Sequence, residues 1–114
     1  MTQFQATRHD HFIPSSSSEG PLLRVREVSP VPTRDKGDVI IFIHGAVMHS
    51  ILFDIPVPGA SWQEYFAGQG YHTFSLDMRG YGRSTRPKTM DLPAKECPFT
   101  CTHEEALEDI FDVV

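Results

Sequence analysis

Two groups of side chains in the sequence have residue types that can bind a metal ion. Cys97 and Cys101 are followed closely by His103, and together they could offer three ligands. A zinc site is normally completed by a fourth ligand, however, and the C-P-F-T-C spacing matches neither a C-x-x-C redox pair nor a zinc ribbon. His9 and His11 would share one face of a strand, where both imidazoles can simply meet solvent. We therefore expect no metal site and no cofactor.

A glycine-rich segment, D-M-R-G-Y-G-R-S at residues 77–84, could either bind phosphate or form a turn. Phosphate binding is disfavoured, because the third glycine of G-x-G-x-x-G is absent and no capped helix follows directly. The two glycines allow a sharp turn after a strand, and Asp77 and Ser84 can satisfy the amides of that turn. A structural turn is therefore the favoured interpretation. Arg83 and Arg86 could contact an anionic substrate, although a solvated surface role is favoured for both.

The composition limits the class of protein. The chain has 114 residues, with 10 Lys plus Arg against 15 Asp plus Glu, and its net charge of −5 disfavours nucleic-acid binding. The hydrophobic content of 39% is close to that of an ordinary globular domain. No apolar run approaches the ~20 residues that cross a bilayer, and the first residues lack the basic start and apolar stretch of a secretory signal. We expect one domain, no membrane span and a cytoplasmic location.

The N-terminal region predicts two short strands. Arg8–Pro14 alternates weakly, Leu22–Val28 carries apolar residues two positions apart, and a polar serine-rich turn connects them. Ser29–Asp38 contains two prolines, a glycine and several charges, which is typical of a surface loop. Residues 1–20 are therefore interpreted as an N-terminal strand with a flexible turn, and residues 21–114 as part of a single domain.

A parallel strand–helix–strand unit follows. Val39–Ile43 is a continuous apolar, β-branched run, which predicts a strand buried on both faces. Ser61 and Glu64 form a capping box that starts a helix at Trp62. The next strand is predicted at Tyr71–Asp77, and strand, helix and strand at this spacing build parallel sheets.

The last segment predicts a second helix. Thr102 and Glu105 form another capping box, and apolar residues recur behind it at helical spacing; they are Leu107, Ile110, Phe111 and Val114. The sequence stops inside this pattern, without a terminal glycine or a following strand. We therefore expect an α/β fold that is incomplete as a stand-alone domain, with the remainder of the same fold as its partner.

Three motifs in order resemble the α/β-hydrolase fold superfamily. V-I-I-F-I-H-G-A occupies Val39–Ala46, G-A-S-W-Q-E-Y-F-A-G-Q-G-Y occupies Gly59–Tyr71, and H-T-F-S-L-D-M-R-G-Y-G-R-S-T-R-P occupies His72–Pro87. They follow one another as the third strand, first helix and fourth strand do in that family. The resemblance implies the N-terminal portion of an α/β-hydrolase sheet: short N-terminal strands, then parallel strand, helix, strand and helix.

The resemblance also implies an oxyanion donor. In the hydrolases that this chain looks like, the residue after the H-G pair donates its backbone N–H to the oxygen on which charge develops, and that residue is Ala46. Gly45 would let the substrate approach, and His44 would brace the loop by hydrogen bonding. Relatives that open epoxides or displace halides typically carry proline where this chain has Val47. The absence of proline at this position favours hydrolysis of an ester, lactone or amide. The sequence also lacks H-G-G-G, which argues against one large branch of lipases and esterases.

The nucleophile of the family is missing from these residues. The family places it in G-x-S-x-G after the fifth strand, followed later by the acid and the histidine. Ser61 and Ser84 both lie in G-x-S, but Gln63 and Arg86 stand where the second glycine belongs. No complete set of nucleophile, base and acid is therefore expected here.

The loop at residues 48–58 is unusually apolar for an exposed connection. We expect Leu52 and Phe53, with Val47, to line a substrate pocket, and plain packing against the remainder of the fold is an equal contender.

The leading hypothesis is the N-terminal section of a serine-type or cysteine-type hydrolase that cleaves a small apolar ester or lactone. The alternative is a member of the same fold that binds a ligand or partner without catalysis. A fragment working alone as a binding module is disfavoured by the interrupted helix and the unpaired strand.

Overall fold

The centre of the fold is a mixed sheet with one helix on each face. The structure, a computed structural model, describes residues 6–16, 20–96 and 102–114. The elements are β1 (Thr7–Pro14), β2 (Leu22–Ser29), β3 (Val39–Ile43), α1 (Trp62–Gly68), β4 (His72–Leu76) and α2 (His103–Val113), with short 3-10 turns between them. Within these residues, no helix is long and apolar enough to span a bilayer.

The strands lie in the order β1-β2-β4-β3. The two N-terminal strands pair antiparallel, β2 pairs antiparallel with β4, and β3 pairs parallel with β4. Ile43 lies opposite Leu76, so the segments that follow β3 and β4 leave the sheet at the same edge. Val25 of β2 also lies opposite Leu76, and the start of β2 therefore reaches this edge as well. The predicted α/β architecture and its parallel unit are confirmed.

Helix α1 begins where the sequence predicts. The Ser61 hydroxyl caps it by accepting from the Glu64 backbone N–H at 3.0 Å. The returning half of the predicted capping box is replaced, because the Glu64 carboxylate accepts from Arg8 Nη2 at 2.7 Å. Arg8 of β1 therefore binds the Glu64 carboxylate, which the sequence pattern had placed against the backbone of the N-cap.

Helix α2 covers the opposite face of the sheet. Leu23, Val25 and Leu76 form a fully buried cluster, and Ile110 and Val113 of the helix pack against it. This arrangement follows from strand alternation, which points Leu23 and Val25 to one side of β2.

A buried ion pair ties α2 to the segment after β4. Arg79 donates to both carboxylate oxygens of Asp109 at 2.8 Å, and both side chains are almost fully buried. The Ser15 hydroxyl donates to Asp109 at 2.7 Å. At its start, α2 has both halves of the capping box predicted between Thr102 and Glu105.

Strand β3 is more exposed than its apolar sequence predicts. Val39 is 57% exposed and Ile43 is also exposed, because within the described residues β3 is an edge strand that pairs with β4 alone. A strand is buried on both faces only when neighbouring elements cover it. The same holds for the apolar stripe of α2, where Ile110 reaches the core while Leu107 and Phe111 are exposed.

Candidate active-site loop

The imidazole of His44 joins the ends of the two parallel strands. Its Nε2 accepts from the Met78 backbone N–H at 3.0 Å, and its Nδ1 lies 2.7 Å from the Gly45 carbonyl oxygen. Because Nε2 accepts, the proton is on Nδ1, which donates to that carbonyl. The ring is buried and its edge faces Tyr81, with the centroids 5.0 Å apart. The bracing role predicted for His44 therefore has its hydrogen bonds in place.

Beyond His44 the chain turns outward at Ala46 and Val47. Neither backbone N–H donates to an acceptor within the described part of the chain, and both residues are exposed. Val47 has a φ of 70° and is the one non-glycine residue in this part of the chain with a positive φ. A β-branched residue there is a backbone outlier, which costs energy and is typical of functional loops.

Gly45 is not required by the local backbone. Its φ is outside the left-handed region, and a Cβ added there would meet no described atom within 4 Å. Neither a turn conformation nor a close contact inside the described structure therefore explains the glycine.

A buried carboxylate holds the far end of the loop. Asp77 is fully buried, and it accepts from the backbone N–H of Ser50 at 2.7 Å and of Arg83 at 3.0 Å. Burial alone would raise the pKa of Asp77, but these hydrogen bonds, with the charge of Arg24, outweigh it and lower the pKa. The loop after β3 is thus fixed to β4 on both sides of its exposed turn.

The glycine-rich segment is a turn, as predicted. Asp77 satisfies the Arg83 amide, and the Ser84 hydroxyl donates to the Asp77 carbonyl while accepting from the Arg24 backbone N–H at 2.8 Å. At Gly82 the φ is 52°, and a Cβ there would collide with the Asp77 carboxylate. Ser84 is therefore engaged in holding β2 against this turn.

The three predicted pocket residues lie in different environments. Val47 is 91% exposed and Leu52 is also exposed. Phe53 is buried, stacks on Phe42 with ring centroids 4.9 Å apart, and lies 6.1 Å from the ring of Trp62. Phe53 thus belongs to an aromatic cluster between the loop and α1, whereas the other two face outward.

A second polar cluster was missed by sequence reasoning. Asp54 is buried and accepts from Ser61 Oγ at 2.6 Å, Arg8 Nη2 at 3.0 Å and Arg26 Nη1 at 3.1 Å. Burial by itself would raise the pKa of Asp54, but the hydrogen bonds from Arg8, Ser61 and Arg26 lower it to about 2. The available signal was that Asp54 is the one acidic residue in the apolar loop at 48–58.

The candidate metal ligands do not come together in the described part of the chain. Those residues contain no cluster of three or more His, Cys, Asp or Glu side chains that could bind a metal ion. Cys97 and Cys101 lie outside the described residues. His9 and His11 are exposed on one strand with ring centroids 6.3 Å apart, and His11 contacts Glu27 at 2.8 Å. What the site offers chemically is an exposed backbone amide on a braced loop.

Comparison with known proteins identifies the family of the chain. The sequence matches the family model of the alpha/beta hydrolase fold over residues 38–112, and the chain belongs to that family. No curated protein sequence matches it significantly.

The structure is similar to several solved structures. It covers 28% of an epoxide hydrolase from Vigna radiata, with 96% of this chain aligned, a TM-score of 0.60 and 18% identity. It covers 44% of a predicted CIB-like hydrolase from Thermoplasma acidophilum, with 95% aligned, a TM-score of 0.60 and 20% identity. It covers 27% of a variant of a potato epoxide hydrolase, with 94% of this chain aligned, a TM-score of 0.62 and 20% identity. The chain therefore spans less than half the length of each, and identities this low establish the fold alone.

Proposed function

We propose that this chain is the N-terminal section of an α/β-hydrolase-fold hydrolase and that the backbone N–H of Ala46 is one oxyanion donor of its active site. The observation that carries the proposal is an unengaged, exposed amide on a loop fixed at both ends. His44 holds the loop on one side, and the Ser50–Asp77 hydrogen bond holds it on the other. A donor fixed before the reaction stabilises developing charge without reorganisation.

Two neighbours of Ala46 support this role. Gly45 lacks a backbone or packing requirement, which agrees with a position kept small for the approach of a substrate. Val47 is held at a positive φ, and the cost of that conformation is explained if the turn must aim the preceding amide outward.

The proposed reaction is acyl transfer. A serine or cysteine nucleophile supplied by the remainder of the fold attacks the carbonyl carbon, and the carbonyl oxygen takes up negative charge beside the Ala46 N–H. The alcohol then leaves with a proton from the base, and water hydrolyses the acyl intermediate.

A small apolar ester or lactone is the proposed substrate class. Val47, next to the proposed donor, and Leu52, six residues from it in the same loop, are exposed apolar side chains, which favours an apolar acyl or alcohol group. Epoxide hydrolases are among the similar structures, but identities of 18% and 20% carry no reaction across. Valine at position 47, where epoxide-opening relatives typically carry proline, argues for ester chemistry.

The test is Ala46→Pro in the intact protein, assayed with p-nitrophenyl acetate and with styrene oxide. Proline removes the N–H, so we expect ester turnover to fall by about two to three orders of magnitude with the thermal transition retained. Ala46→Gly keeps the N–H and is the matched control. Unchanged turnover in the proline variant would exclude the oxyanion role, and turnover of the epoxide alone would exclude the ester assignment.

A family member that binds a ligand or partner without catalysis is the second candidate. The free amide and the fixed loop would be equally useful for holding a carbonyl that never reacts. The sequence of the remainder of the fold distinguishes the two, because the catalytic proposal requires G-x-S-x-G or its cysteine equivalent after the next strand of the sheet.

A further inference from the structure

A cleft of about 330 Å³ opens on the α1 side of the sheet, between the start of β2 and the loop at 48–58. Its lining is Arg24, Arg26, His49, Ile51, Asp54, Pro56 and Arg83. The lining thus includes three arginines and one histidine but only one acidic residue. This volume is within the range of small-molecule sites.

Two buried side-chain nitrogens at this cleft lack hydrogen-bond partners within the described residues. The Arg24 side chain is 8% exposed, and its Nε has no hydrogen-bond partner in the described part of the chain. The Nδ1 atom of His49 is also buried without a hydrogen bond, and the nearest carboxylate oxygen, on Asp77, is 3.9 Å away. Buried polar atoms are nearly always paired, so two unpaired nitrogens beside one cleft indicate a missing partner, and for the Arg24 N–H that partner must be an acceptor.

The carboxylates nearby are already engaged. Asp54 accepts from Arg8, Arg26 and Ser61. Asp10 contacts Arg24 Nη2 at 3.1 Å and accepts from Arg26 Nε at 2.9 Å.

Asp77 receives two backbone amides as well as Arg24 Nη1 at 3.3 Å. Each acid thus already has at least two donors, and none of them accepts a hydrogen bond from the two unpartnered nitrogens.

Arg83 adds an exposed positive charge at the mouth of the cleft. Its side chain is 70% exposed, and its one described ion pair is a 4.0 Å contact with Asp10. The guanidinium can therefore close over a bound anion without first breaking a short hydrogen bond.

We propose that this cleft binds a small anion through phosphate or carboxylate oxygens. Arg24 Nε donates from the inside, His49 Nδ1 donates there when it carries the ring proton, and Arg83 donates from the mouth. Guanidinium groups suit either oxyanion, because they present parallel N–H donors to two oxygens. The lining of the cleft does not include Ala46 or the other residues of the proposed active site, and the proposal does not depend on ester hydrolysis.

The experiment is titration of the intact protein with inorganic phosphate and with succinate at constant ionic strength, followed by calorimetry and by the thermal transition. We expect saturable binding of at least one anion and a rise in Tm that chloride at the same ionic strength does not produce. Binding of phosphate alone assigns a tetrahedral ligand, and binding of succinate alone or of both assigns a carboxylate-compatible site. An absence of saturable binding at millimolar anion, or an equal effect of chloride, would overturn the proposal.

Variants locate the binding. Arg83→Gln changes an exposed side chain, so folding is retained, and loss of one charge-assisted hydrogen bond should weaken binding by about tenfold. The matched control is Arg86→Gln, because Arg86 is 57% exposed and contacts Asp91 outside the cleft. His49→Gln tests the inner wall of the cleft, and its anion affinity is measured in the same way. Equal losses of affinity in the Arg83 and Arg86 variants would mean that the anion responds only to the overall surface charge, and this result would contradict the site.

Discussion

The carboxylate of Asp77 accepts the backbone N–H of Ser50 at 2.7 Å and so fixes the loop after β3 to the end of β4. The two residues are 27 positions apart, and the contact is fully buried. The same carboxylate also receives the Arg83 amide and the Arg24 guanidinium. One side chain therefore joins the loop, the glycine-rich turn and β2.

Replacing the Asp77 carboxylate should lower the free energy of unfolding and release the loop after β3 from β4. Asp77→Asn keeps one acceptor oxygen, removes the charge opposite Arg24 and presents an amide to a backbone N–H. We expect a loss of about 2–3 kcal/mol in the free energy of unfolding, measured by urea denaturation. Asp91→Asn is the control, since its carboxylate is 75% exposed and should change stability by less than about 0.5 kcal/mol. Equal effects would contradict the linking role.

Gly82 tests the close approach to Asp77. Gly82→Ala adds a Cβ that collides with the carboxylate, at a φ of 52°. Gly20→Ala is a matched control, because its φ is 59° and its Cβ would meet no described atom within 4 Å. Both variants carry the left-handed strain of about 1–2 kcal/mol. Thermal unfolding should show a further loss for Gly82→Ala alone, and similar melting temperatures would mean that the collision is absent.

The pH dependence of stability should carry the signature of Asp54. Its pKa is lowered in the folded state to about 2, against about 3.9 when unfolded. Because the unfolded state binds the proton more readily, the contribution is fully present above about pH 5 and is lost as the pH falls through about 2. Asp54→Asn should be about 2 kcal/mol less stable at pH 7, and the difference should shrink over that window.

The control for that titration is Asp38→Asn, at an exposed loop position. Its stability should follow the unmodified protein at every pH. A constant gap between the Asp54 variant and the unmodified protein down to pH 2 would exclude the proposed linkage.

Variants of Phe53 and Leu52 distinguish a role in packing from a role in substrate contact. Phe53→Ala removes a buried ring that stacks on Phe42, and we expect a loss of about 3–5 kcal/mol. Leu52 is exposed, so Leu52→Ala should change stability by less than about 1 kcal/mol and instead raise KM for an apolar ester. Denaturation and steady-state kinetics measure the two effects. A large stability loss at Leu52 with unchanged KM would assign it to packing.

Local signals were sufficient for the secondary structure. The Ser61 and Thr102 caps and the β-branched run at 39–43 each depend on contacts within a few residues, and each element begins where those patterns predict. The order of motifs likewise predicted the parallel unit and the family. The same local patterns overstated burial, because the coverage of β3 and α2 depends on elements elsewhere in space.

The sequence by itself determined the elements, their order and the position of Ala46 just beyond a strand end. Tertiary structure alone decided the Asp77–Ser50 link, the Asp54 cluster with Arg8, and the meeting of Arg24, His49 and Arg83 around one cleft. Each of these contacts joins residues brought together by the antiparallel pairing of β2 with β4 or by the fold of the loop over the sheet. Strand register sets which distant side chains meet, and no periodicity within a single strand encodes its neighbour.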